Sequence, residues 1–289
     1  MWHDPLNLNL LNLIHYHSTA GFVVRILEAR DLPTRFYHLK AMVSLTSRLK
    51  HTVKPNAHGS YLAEFISTFL FDFAAVGSAM SSRKMMPGAT TDPSELVAVA
   101  IANAFGLSVA VYAAVNIFGL HVNLAVTFGM AVRGHITVPM AICHLISQLV
   151  GSVMACLFLN VTTVSQHVLV HGIPQVMTGF RASILEGVMT FGLVYSVYEA
   201  GDPRCGPLGA TRPLAIGFIV GANVLASGSF TGGSMNPTYS FGSALVGGNF
   251  KNHVVYWIGP LISAALAGIL YGKGFFPVQV PGIADGVGV

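Results

Sequence analysis

Charge is scarce in this chain. Only 9% of its 289 residues are Asp, Glu, Lys or Arg, and 53% are hydrophobic; an ordinary soluble domain is about a quarter charged. So few ionic side chains cannot coat a water-facing surface, which excludes a soluble globular domain and leads to a membrane protein. The basic residues do not suit nucleic acid as a partner either. Seven of the fifteen (Arg25, Arg30, Arg35, Lys40, Arg48, Lys50 and Lys54) precede the first long apolar run, as in a cytosolic segment flanking a membrane, and they form no stripe on a folded domain. Cysteine is scarcer still. Cys143, Cys156 and Cys205 are odd in number and widely spaced, and supply neither a disulfide framework nor a metal-ligand spacing. The six histidines between His3 and His58 match no metal motif. No Ser/His/Asp constellation has a recognisable spacing, so no metal, no cofactor and no enzymatic chemistry are expected.

Long apolar runs are what the chain does have. Crossing the hydrocarbon core takes about 20 residues of helix. Six segments qualify: Tyr61–Met80, Leu96–Ile117, Pro139–Val161, Ala182–Tyr198, Pro213–Ser227 and His253–Tyr271, the fifth being short at these limits. The N-terminal patch LNLNLLNLIHYH is too short and too polar to span. Residues 1–43 therefore read as an extension without a fixed fold, 44–60 as a cytosolic N-terminal segment, and 272–289 as a cytosolic tail. With the N-terminus cytosolic, eleven of the fifteen basic residues fall on the cytosolic side and four (Arg83, Lys84, Arg181, Lys251) fall opposite.

Two segments too short to cross break this pattern. HVNLAVTFG (His121 to Gly129) and SMNPTYSFG (Ser234 to Gly242) each run asparagine, four residues, Phe-Gly, and their asparagines, Asn123 and Asn236, stand 113 residues apart. Each half of the chain, 61–161 and 182–271, thus has three spans and one short segment, and each opens with a glutamate inside its first span, Glu64 and Glu186. Three is odd, so the halves face opposite ways across the bilayer, as an inverted repeat. A short helix that begins at the midplane presents unpaired N–H groups and the positive end of its dipole. Such a break is tolerated only where it is buried in protein or lines a cavity. Asparagine is a good N-cap and proline suits the first helical position. Two such tips meeting from opposite sides offer amide donors to water or a small neutral solute, while their dipoles repel cations and interrupt a proton wire. Glu64 and Glu186 are read as acceptors for the freed backbone donors of the two re-entrant loops.

These motifs resemble the major intrinsic protein family, the aquaporins, from about Ser44 to the C-terminus. The family's paired Asn-Pro-Ala motifs match Asn123-Leu124-Ala125 and Asn236-Pro237-Thr238. The stretches YLAEFISTF, AVGSAMSSRK, HVNLAVTFGMAV and LAIGFIVGANVLA are similar to plant tonoplast intrinsic proteins of a divergent subgroup. The resemblance implies an all-α membrane protein with six transmembrane helices and two re-entrant half-helices in an inverted 3+3 repeat. It also implies homotetramers in the vacuolar membrane, with water and small neutral solutes (urea, glycerol, ammonia or hydrogen peroxide) as the permeants. Met42 stands near where chains of this family begin, so residues 1–41 are an extension or a gene-model artefact.

Placed on the family's pattern, the selectivity filter consists of Asn103, Val224, Gly233 and Tyr239. Tyr239 replaces a position that is arginine in most water-selective members, so a fixed cation is exchanged for a neutral phenol. Two outcomes compete: the ring folds against the wall and leaves an open neutral filter, or it plugs the channel. Leu124 in place of proline is expected to loosen its loop locally. Thr238 in place of alanine bonds back within its turn or narrows the waist. Asp72, deep in the first span where a charge costs about 2.5–3.5 kcal/mol, reads more simply as a protonated, bundle-facing acid than as a functional group. His171 is a candidate mouth residue, with a solvated loop histidine as the plainer reading. Asn160-Val161-Thr162 has the form of a glycosylation triplet but lies at the membrane surface. An ion-coupled secondary transporter and a non-conducting family member remain as alternatives.

Overall fold

The computed structural model describes residues 55–85, 93–114, 121–164, 166–202 and 211–272. The expectations for 1–43, for most of 44–60, for Cys205 and for the tail after Gly272 lie outside the described residues. Eight helices are formed within them: α1 (Pro55–Met85), α2 (Pro93–Ala114), α3 (Leu124–Val132), α4 (Val138–Thr162), α5 (Gly179–Gly201), α6 (Thr211–Thr231), α7 (Pro237–Gly247) and α8 (Val255–Gly272). Five are long and apolar enough to cross a bilayer, and α8 contributes a shorter apolar stretch, Val255–Tyr271. At 1.5 Å per residue, α3 with 9 residues and α7 with 11 are about 14 and 17 Å long, roughly half of a 30 Å hydrocarbon core.

Local chemistry sets the ends. Proline opens α1 and α2, where its missing N–H was unpaired anyway. Thr137 caps α4 by accepting from Met140 N, and Thr178 caps α5 by accepting from Arg181 N. Gly248 closes α7 in the left-handed region, φ 71°, which a side chain rarely adopts. Helix α6 runs past the expected limit at Ser227 as far as Thr231. The Ser227 hydroxyl donates to Asn223 O (2.6 Å), so its polarity is satisfied inside the helix and does not end it. The Asn160 triplet falls in the last turn of α4 and is helical.

The packing repeats with a twofold sense. Helix α1 packs on α4 as α5 packs on α8, α1 on α2 as α5 on α6, and α2 meets α6 across the centre. Each half-helix crosses to the other half: α3 lies on α8, and α7 on α4. These contacts are close because small residues line them. A Cβ on Gly151 of α4 would stand 2.6 Å from Phe65 O of α1, and one on Gly129 of α3 would meet Ala264 O of α8 at 3.1 Å. Small residues of ISAALAGIL and GSALVGG, whose composition permits close helix packing, make such contacts within the chain. Ala244, Ala264 and Ala267 are fully buried, Gly268 approaches Gly129 O, and Gly242 faces Ser152. Polar groups turn inward and aliphatic ones outward: Ser60, Glu64, Thr68 and Asp72 of α1 are buried, while Leu62, Ile66, Leu70 and Phe73 are exposed. That reversal suits lipid as the surrounding medium.

Candidate functional site

The two breaks in helicity are built alike. Glu64 of α1 accepts His121 N (2.5 Å) at one carboxylate oxygen and Val122 N (2.9 Å) at the other, where Gln148 Nε2 of α4 also donates (2.9 Å). Glu186 of α5 accepts Ser234 N (3.1 Å) and the Thr231 hydroxyl (2.6 Å) at one oxygen, and Met235 N (2.8 Å) at the other. In both copies the bonded amides stand two and one residues before the asparagine. The residue just before each asparagine is turned into the left-handed region, Val122 at φ 56° and Met235 at φ 54°. For a β-branched residue such as Val122 this is strained by about 1–3 kcal/mol, and the buried carboxylate holds it there.

The turns bring the asparagines tip to tip. Asn123 Oδ1 caps its own helix by accepting Ala125 N (2.7 Å), and Asn236 Oδ1 accepts Thr238 N (3.2 Å). Each amide nitrogen reaches across: Asn123 Nδ2 donates to Met235 O (3.0 Å), and Asn236 Nδ2 donates to Val122 O (3.1 Å). One N–H of each amide is thereby used, and the second has no acceptor among the described residues. Leu124 changes this arrangement in a direction opposite to the loosening expected of it. Its N–H, which proline would lack, donates to Asn236 Oδ1 (3.2 Å) and ties the two loops together. The Thr238 hydroxyl turns back to the same oxygen (2.8 Å). Beside Asn123 opens a cavity with His121 on its wall and aliphatic side chains from α2, α3, α5 and α6 around it, among them Leu107, Val126, Leu193 and Ile216.

On the other side of the asparagines, Asn103, Val224, Gly233 and Tyr239 are all buried. Asn103 Nδ2 is occupied by Val99 O (2.8 Å). Gly233 has φ 67°, and a Cβ there would lie 3.2 Å from Val224 Cα, so both its backbone and its surroundings require glycine. The Tyr239 ring is only 5% exposed and is held edge-on between Phe71 of α1 (centroids 5.5 Å apart) and His171 (4.5 Å). His171 is not a solvated loop histidine. It packs on Tyr256 as well, and its Nδ1 is 3.3 Å from the Ser240 hydroxyl. Burial, and secondarily the neighbouring His253, push its imidazole down to about 4.

Residues 51–271 match the family model described as Major intrinsic protein. The chain belongs to the major intrinsic protein family. It is 53% identical to the probable aquaporin TIP5-1 of Arabidopsis thaliana over 82% of this chain and 92% of that one. It is 51% identical to the probable aquaporin TIP-type RB7-18C of Nicotiana tabacum over 77% and 89%. Its fold is similar to the X-ray structure of the aquaglyceroporin from Plasmodium falciparum, with TM-score 0.63 and 19% identity, covering 75% of this chain and 96% of that one. The chain is thus a multi-pass membrane protein of an inverted-repeat channel family for water and small solutes, with TIP-type aquaporins among its relatives, and not a member of an enzyme family.

Two features stand apart from the paired motifs of this major intrinsic protein. Asp72 is fully buried with neither oxygen hydrogen-bonded, and the Ser152 hydroxyl lies beside it without a well-directed bond. The partners of the two glutamates also escaped the sequence reading. Gln148 and Thr231 support the loops from α4 and α6, and Gln148 Nε2 bonds Thr127 of α3 as well (2.9 Å). A polar residue inside an apolar span was the available signal for Gln148.

Proposed function

We propose that this chain forms a passive pore for water and small neutral solutes in the vacuolar membrane. Both termini are cytosolic and four copies assemble, each with its own pore. The observation that carries the reading is the crossed pair of asparagine amides at the tips of two opposed half-helices. Each retains one N–H, and Asn123 borders a cavity whose wall is otherwise mostly aliphatic. Such a constriction hydrogen-bonds a neutral permeant and sets two positive dipole ends against a cation. The tyrosine-containing filter removes the fixed cation of most water-selective relatives, which extends the permeants to small polar neutrals such as urea, glycerol, ammonia and hydrogen peroxide. Orientation rests on the excess of basic residues around the N-terminus. Assembly and location rest on the TIP-type relatives.

Proteoliposomes carrying the purified protein should shrink in an osmotic step with a low activation energy, unaffected by an imposed proton or sodium gradient. Shrinkage that saturates and follows such a gradient would instead indicate a coupled transporter.

His171 adds a pH response. Docked against Tyr239, Ser240, Tyr256 and the nearby His253, it stays neutral, while an undocked histidine takes up a proton near 6.5. The docked state binds fewer protons, so its stability is fully present above about pH 6.5 and is lost as pH falls toward 4. Urea flux is expected to be flat above pH 6.5 and to rise severalfold as the His171 side is acidified, because the Tyr239 ring loses one of its two walls. His171→Phe should abolish the rise; an acid response that survives this substitution would place the sensor elsewhere.

A further inference from the structure

We propose that Glu64, His121 and His144 form a site for a first-row transition cation, zinc(II) or copper(II), in the pore wall on the α3 side of the asparagines. The three come from α1, from the loop before α3 and from α4, and 57 positions separate Glu64 from His121. No sequence spacing could therefore show them. Each offers one ligand atom, all three within 4.8 Å of one another, and all three residues are buried. His144 Nδ1 lies 3.0 Å from a Glu64 oxygen without a well-directed hydrogen bond, so a buried ring nitrogen is aimed into the cluster with the carboxylate as its neighbour. His121 Nδ1 faces the same oxygen at 3.9 Å and would exchange its 3.1 Å contact with the Thr127 hydroxyl for the metal; the two imidazole centroids are 5.1 Å apart.

Two imidazole nitrogens and one carboxylate oxygen suit zinc or copper(II), whereas magnesium and calcium take oxygen ligands. Ligand bonds of about 2.0–2.2 Å require the donor atoms to close by roughly an ångström. His144 is free to do so, because its other nitrogen has only a long contact to the Ser60 hydroxyl, 3.4 Å. The second Glu64 oxygen still holds Val122 N and Gln148, while the first, which accepts His121 N, has a further lone pair to share with the metal. His121 borders the cavity beside Asn123, where a water would fill the fourth position. A single carboxylate against a divalent ion, close to the positive end of α3, keeps the site reversible. Occupancy places a net positive charge beside Asn123 and closes the pore, which makes this a regulatory site. The closing effect rests on the channel reading above; the binding itself does not.

The test uses the full-length protein with two substitutions. His144→Gln keeps a donor toward Glu64 without an imidazole, and His144→Phe keeps only the ring shape. The histidines of the N-terminal segment are the same in all three proteins, so only differences between them count. Copper(II) titrated into each in detergent is followed by electron paramagnetic resonance. The parent should bind one more nitrogen-ligated copper per chain than either variant. In proteoliposomes, zinc should inhibit osmotic shrinkage of the parent, with each protein scaled to its own metal-free rate. The half-inhibiting concentration should rise at least about tenfold in both variants, a loss of about 1.4 kcal/mol of binding. Equal copper stoichiometry in parent and variants overturns the site. Equal zinc sensitivity overturns its control of the pore. If no protein conducts, the channel reading fails and the copper measurement alone decides the site.

Discussion

Tyr239→Ala is expected to raise urea flux severalfold with a smaller rise in water flux, and Tyr239→Arg to lower urea flux about tenfold more than water flux. The phenol ring is held between Phe71 and His171, in the neutral filter proposed for it with Asn103, Val224 and Gly233. Removing the ring widens the constriction, and urea, being larger than water, gains more. An arginine there refills the space with a guanidinium that presents several fixed donors, a geometry that a single water satisfies more readily than a planar amide. A tenfold change corresponds to about 1.4 kcal/mol in the barrier, within what one or two hydrogen bonds supply. Stopped-flow shrinkage and labelled-urea uptake in the same vesicles measure both fluxes. A silent parent opened by alanine would mean that the ring plugs the pore. Indifference of both fluxes to both substitutions would remove Tyr239 from the filter.

Glu186→Leu should be among the most damaging single changes to the folded protein. It strands Ser234 N, Met235 N and the Thr231 hydroxyl, all of which end on the carboxylate. Each stranded buried donor costs about 1–3 kcal/mol. Three of them amount to about 3–9 kcal/mol, against a total stability of roughly 5–15 kcal/mol for an ordinary domain. The left-handed turn at Met235 would also lose what holds it. Glu186→Gln retains one acceptor oxygen but points an amide NH₂ at backbone donors, and should fall between. Asp72 provides the opposite case, since its two buried oxygens accept no hydrogen bond. Asp72→Leu is therefore expected to leave the melting temperature unchanged or to raise it. Thermal unfolding in detergent, followed by near-ultraviolet circular dichroism, should show a loss of more than about 10 °C for Glu186→Leu and none for Asp72→Leu. Equal melting of parent and Glu186→Leu would show that the carboxylate does not hold the re-entrant loop.

Hydropathy over runs of about 20 residues and the capping preferences of asparagine and proline are properties of neighbouring residues. That is why the apolar spans, the two short helices starting after Asn123 and Asn236, the inverted repeat and the family are legible in the residues alone. The paired glutamates were legible for the same reason: each interrupts an apolar run at the corresponding place in its half. What those groups touch depends on how the helices pack. Gln148 meets Glu64 across 84 positions, and each asparagine amide bonds the carbonyl before the other asparagine, because α3 and α7 each cross onto the opposite half. The Leu124 N–H becomes a tie rather than a loose end because Asn236 Oδ1 stands opposite it, and no local propensity contains that fact. His171 reads as a loop residue until the fold closes over it, and Tyr239 reads as a bulky substitution until Phe71 and His171 take its ring. Local preference chooses the elements. The partner of a buried polar group depends on which helices become neighbours, and that is settled only when the two halves pack together.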